Sequence, residues 1–242
     1  MNSTPAAIPV RWLPYYTTTM TLDDFKKQFE IFSKIDTAEK LAICEKQYQQ
    51  HFLHIEDDNY FEPNEIDLVN DISSRYEKNL NNIFSFDTIA ENQIYFLVRP
   101  SFEPEKLLTI ARLQDKFLLT LTTLTKNYWS VFYGDNKIID VGKKVFTTDL
   151  DEAIGEKIFN LLDRTIDEAR LPKAGGFTLD GVVYRLSKLF NGVQKTVSKH
   201  SPNETSKSGK IIDIMKELID NFGNIDNKIL LNISTKIIVV QD

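Results

Sequence analysis

The apolar side chains change period near residue 93, and that change constrains the fold more than any other feature of the chain. Before it, Leu22, Phe25, Phe29 and Phe32 recur in steps of three and four, the spacing of one helical face. After it, Ile94 to Val98 is an unbroken β-rich run closed by Pro100. Helices first, then strands with helices returning among them, predict an α+β fold.

Three helices are expected over residues 21–83. Thr21 suits the N-cap of the first. The second follows Thr37 and turns Leu41, Tyr48, Phe52 and Ile55 inward. The third enters at Glu62-Pro63 and carries Ile66, Val69, Ile72, Tyr76, Leu80 and Ile83 on one face. Beyond Ile94–Val98, Leu107–Leu113 and Phe117–Thr125 read as a hairpin. Tyr128–Tyr133 alternates like a strand, and Ile138–Thr147 reads as another strand interrupted at Gly142. From Asp149 the helical spacing returns through Ile154, Ile158, Leu161, Leu162 and Ile166. Asn191-Gly192 then marks a hairpin between Val182–Phe190 and Val193–Lys199.

A second amphipathic helix is expected from Ile211 to Phe222. The closing segment 224–242 fits either a helix followed by a strand or a strand throughout. The organisation expected from these patterns is an extended segment over 1–20, a helical subdomain over 21–90 and an α+β domain over 91–242. The last is a mainly antiparallel sheet with two amphipathic helices packed on one face.

The net charge of -6 argues against nucleic acid as a partner, since phosphate contacts need a basic surface. The single cysteine, Cys44, cannot pair within the chain, which suits the reduced cytoplasm. No apolar run approaches the roughly 20 residues that span a bilayer, so no membrane partner is expected.

Catalytic patterns are weak. His51 and His54 lie near Glu56, Asp57 and Asp58, but the spacing identifies no third metal ligand, and neither metal nor cofactor is expected. Ser206-Lys-Ser-Gly209-Lys210 precedes a helix as a phosphate loop does. It has Glu204 where the first glycine belongs and Ile211 where Ser or Thr belongs. Arg185, Lys188, Lys195, Lys199, Lys207 and Lys210 form a late basic cluster, expected to be a solvated hairpin face. An enzyme with a dispersed, metal-dependent site is the alternative to a binding role.

The densest charge feature is acidic. Glu56, Asp57, Asp58, Glu62, Glu65, Asp67 and Asp71 place seven acids in sixteen residues with no base between them. Tyr60 and Phe61 sit inside the run, so an aromatic anchor ringed by carboxylates is expected to hold a basic protein partner. Self-association is a further expectation, because the isoleucines and valines of the last segment could pair with another chain.

Leu179-Asp-Gly-Val-Val-Tyr184, the hairpin after it, Ser201-Pro202 and the Lys-Ser-Gly-Lys entry to the last amphipathic helix resemble a group of uncharacterised small bacterial cytosolic proteins. Some of those are suspected toxin-immunity factors. The resemblance covers about residues 94–222. It implies a cytosolic protein that binds another protein, here by occluding a cognate toxin, and it transfers no catalytic residue.

Overall fold

The computed structural model describes residues 49, 56–63, 72–86, 90–114, 116–135, 141–172 and 181–241. The chain divides into two compact units, Met1–Ile55 and Glu56–Asp242, and the strands and helices named below all belong to the second. The expected extended segment, the expected first helix, the expected second helix apart from Gln49, which is helical, and Cys44, His51, His54, Glu65, Asp67 and Asp71 lie outside the described residues.

The second unit is α+β, built on one antiparallel sheet. Its strands are β1 (Glu62–Pro63), β2 (Gln93–Pro100), β3 (Lys106–Arg112), β4 (Phe117–Leu124), β5 (Lys143–Leu150), β6 (Val182–Phe190) and β7 (Val193–His200), in the spatial order β1-β7-β6-β2-β3-β4-β5. Its helices are α1 (Ile72–Phe84), α2 (Tyr128–Asp135), α3 (Glu152–Asp167), α4 (Lys207–Asp220) and α5 (Asn227–Gln241). The unit therefore takes in residues 56–63 and α1, which the sequence pattern placed with the helices before it.

Strand alternation sorts the side chains into two cores. On one face Ile94, Phe96, Leu108, Ile110, Leu119, Leu121, Leu186 and Val197 pack under the apolar sides of α3, α4 and α5. On the other, Tyr95, Leu97, Leu107 and Leu124 meet Tyr76, Leu80 and Phe84 of α1 and Tyr128 of α2. The expected pair of helices on one face is thus three, and the opposite face is covered as well. At the predicted hairpin, Asn191 and Gly192 both take positive φ, 50° and 74°, the geometry that two-residue turns with Asn-Gly favour.

Three expectations are corrected. Glu62-Pro63, expected to open the third helix, is strand β1, paired antiparallel with Ser198 and Val197 of β7. Tyr128–Tyr133 is helical, not a strand. Asn127 Oδ1 accepts from Ser130 N at 2.7 Å, and the buried Glu105 carboxylate accepts from Tyr128 N and Trp129 N at 2.8 and 3.1 Å. Those first-turn amides have no intrahelical acceptor, and a carboxylate there also complements the helix dipole. The closing segment is one helix. Ile229, Ile233, Ile237 and Val240 recur at helical spacing toward the core, and Asp226 Oδ1 accepts from Ile229 N at 2.9 Å. Burial of that face overrides the strand preference of its β-branched residues.

Candidate protein-binding surface

The described part of the acidic run faces its own protein. Phe61 is 1% exposed and belongs to the core beneath α3 and α4. Tyr60 lies under the Arg170 guanidinium, 3.5 Å from carbon to ring centroid, and Arg170 also pairs with Glu56 at 3.2 Å. Asp58 and Glu62 hold Lys199 of β7 at 3.4 and 3.1 Å, and the Asp57 carbonyl accepts from the same ammonium at 2.9 Å. Asp57 itself is buried. Of the residues expected to receive a basic partner, Glu56, Asp58 and Glu62 thus receive the bases of β7 and of the chain following α3.

The same segment occupies the entrance to α4. Ser206 caps that helix by accepting from Gly209 N at 3.0 Å. Asn59 Oδ1 accepts from Lys207 N at 3.0 Å, Asp58 Oδ2 from Asn203 N at 3.1 Å, and the Ser208 hydroxyl donates to the Asp58 carbonyl. Gly209 permits this close approach, since a Cβ there would stand 2.0 Å from the Asn203 carbonyl oxygen. The loop that resembles a phosphate cradle therefore directs its polar groups at residues 58, 59 and 203.

The late basic cluster is the expected solvated face only in part, with Lys195 and Lys210 exposed. Arg185, Lys188 and Lys199 are buried, and the sheet splits them between its two sides. On the α3 side, Lys188 pairs with Asp163 and with Asp167 at 3.1 Å, while Lys195 reaches Asp167 at 3.0 Å. Hydrogen bonding from Lys195, opposed by partial burial and reinforced by Lys188, holds the Asp167 carboxyl below the ordinary aspartate range. On the α1 side, Arg185 donates to Glu77 at 2.8 Å and to Asn81 at 2.6 Å, and Arg99 shares Glu77. Burial, with Arg99 beside it, lowers Arg185 below the usual arginine range.

Two carboxylates that sequence reasoning passed over organise this side. Glu77 pairs with two guanidiniums, one through each carboxylate oxygen, and Glu105, fully buried, accepts the Tyr76 phenol at 2.9 Å while capping α2. Burial pushes that phenol well above its ordinary value. The tyrosine is a fixed donor rather than an acid–base group. Glu105 had a sequence signal, an acid just ahead of an apolar strand, but its function depends on α2 being a helix.

Strand β5 presents the opposite situation. Among the described residues it pairs with β4 alone, whereas the far edge of the sheet carries β1 against β7. Two rows of side chains cross the sheet and end on β5. One runs Val197, Leu186, Phe96, Leu108, Leu121 to Phe146; the other runs Ser198, Arg185, Leu97, Leu107, Thr122 to Val145. The inner members of the first row are buried, yet Phe146 is 52% exposed and Val145 58%. Apolar side chains therefore stand open on both faces of a free strand edge. The β5 sequence was legible as a strand, but only the strand order shows it to be last in the sheet.

Among the described residues, no three His, Cys, Asp or Glu side chains are placed to hold a metal ion, and no helix is long and apolar enough to cross a membrane. No protein-family model, curated protein or solved structure matches the chain.

Proposed function

We propose that this chain is a non-catalytic protein that binds another polypeptide by strand addition at β5. The observation that carries the reading is the free β5 edge, with Val145 and Phe146 exposed on its two faces at the ends of sheet-wide rows. An added strand takes up the edge's unpaired amides and carbonyls and covers both side chains at once, so hydrogen bonding and apolar burial act together. Occlusion of a toxin in the cytoplasm, which the resemblance implied, is one form of such binding. The single cysteine, Cys44, fits that compartment.

The test is affinity capture from the native cell extract with the tagged chain and with a Val145→Lys, Phe146→Lys variant. Both positions are exposed, so the variant's melting temperature should match the parent's within a degree or so of the change expected for surface substitutions. A stoichiometric protein retained by the parent and lost by the variant supports the proposal. Equal retention by both removes it.

A further inference from the structure

We infer that the free edge of β5 also pairs with the β5 edge of a second copy of this chain, antiparallel and centred on Phe146. The inference rests on the reading of β5 as a binding edge and names an occupant for it. Identical chains associate most often about a two-fold axis, with the same patch on both sides.

A sheet that continues across such an axis keeps its two faces only if the axis passes through a residue and its own copy. A one-residue offset would set side chains of opposite faces against each other. Centring on Phe146 sets Val145 opposite Thr147, Lys144 opposite Thr148 and Lys143 opposite Asp149 of the second copy. Two Lys–Asp pairs result, one on each side of the axis, and no like charges are opposed. Centring on Thr147 would instead set Val145 against Asp149, Lys144 against Leu150 and Lys143 against Asp151, which lies beyond the end of β5 and spends its carboxylate capping α3 on Ala153 N and Ile154 N. Centring on Val145 would set Lys144 against Phe146 and Lys143 against Thr147. Charge complementarity therefore selects Phe146.

Lysines on an edge ordinarily discourage pairing of like with like. In this register they oppose an acid and a threonine. Within one copy, Lys143 donates to the Ile83 carbonyl at 2.7 Å and Asp149 accepts from Lys116 at 3.0 Å, both in exposed settings where the contacts can be shared or exchanged. The Phe146 ring would meet its own copy on the α3 side, extending the row that ends at Leu121, and Val145 would meet Thr147 on the α1 side.

Sedimentation of the 242-residue chain over a wide concentration range reads the result directly. The native chain should reach twice its single-chain mass. Lys143→Asp and Asp149→Lys, made singly, place like charges opposite one another at both symmetric positions and should weaken the dimer by roughly tenfold or more. The double variant exchanges the two charges and should restore it, with circular dichroism melting showing that each variant is folded. A monomeric native chain, a dimer indifferent to the single substitutions, or a double variant no better than either single would overturn the inference. A native monomer that still captures a protein through Val145 and Phe146 would overturn the second copy alone. Loss of that capture difference, with the dimer intact, would remove strand addition by another protein alone.

Discussion

Lys199 is 4% exposed and is held by Asp58, Glu62 and the Asp57 carbonyl, so the pairing joins residues 57–62 to β7 through one ammonium. Lys199→Met keeps the aliphatic stem but leaves two carboxylates facing each other and a carbonyl without its donor. A charged hydrogen bond of this kind is worth about 2 kcal/mol, and the urea midpoint should fall accordingly. An unchanged midpoint would show that water replaces the ammonium without loss. Exchanging Asp57, Asp58 and Glu62 for lysine strikes the same contacts and should lower stability as well as surface charge. Asp167 gives a pH-dependent counterpart. Its folded pKa is depressed, chiefly by the Lys195 hydrogen bond, so its contribution is present above the ordinary aspartate range and is lost as pH falls through the lower folded value. Melting curves of the native chain and Asp167→Asn should therefore differ at neutral pH and converge in acid. A gap that persists undiminished at the lowest pH would assign the effect to something other than this carboxylate's ionisation.

At the scale of elements, α3 lies against β4 through Gly155. A Cβ at that position would come within 2.3 Å of the Phe117 ring, whose side chain is buried and contacts Phe159. In an exposed helix Gly→Ala stabilises by about 1 kcal/mol. Here Gly155→Ala should instead destabilise by about 1–3 kcal/mol, because the helix must lift from the strand or Phe117 must leave its rotamer. A raised melting temperature would contradict the packing described. This contact also marks the limit of what the pattern of residues conveys. Periodicity revealed α3, α4 and the β3–β4 pair, because each repeats one local spacing several times, and the Asn191-Gly192 dipeptide revealed the hairpin through its turn chemistry. It misread α2, whose Tyr128, Val131 and Phe132 fit a helix as well as their neighbours fit a strand; the distant Glu105 favours the helical choice. It also assigned charges by adjacency, whereas Lys188 finds Asp163 and Asp167 on α3, and Lys199 finds Asp58 and Glu62 across more than 130 residues. Long-range pairings leave no periodic trace. The open edge of β5 was hidden for the same reason, being a property of strand order.

Across the whole unit, the last helix completes the core on the side of the sheet covered by α3 and α4. Ile233 and Ile237 of α5 are at most 1% exposed, and Val240 joins them against α3 and α4, the helices that cover the Phe96 and Leu108 face of the sheet. Lys236 ties α5 to α4 through Asp213 and Glu217, both at 2.7 Å, and Lys157 of α3 donates to Ser234 at 2.9 Å. The surface ion pairs contribute little beside the apolar burial, since exposed pairs are worth at most about 1 kcal/mol each. Truncation after Asp226 would keep all seven strands and their ladder while uncovering the α5-facing sides of α3 and α4. If the sheet were self-sufficient, the truncated chain would melt cooperatively with only a modest loss. The location of Ile233 and Ile237 argues otherwise, because each large-to-small loss at such a site costs about 2–5 kcal/mol and whole-domain stability is typically about 5–15 kcal/mol. Ile233→Ala together with Ile237→Ala should therefore approach the effect of the deletion, with a urea midpoint near zero and exposed apolar surface that binds a hydrophobic dye. A double variant that retains most of its midpoint would mean that α5 is an appendage and that the α3–α4 layer closes the core by itself.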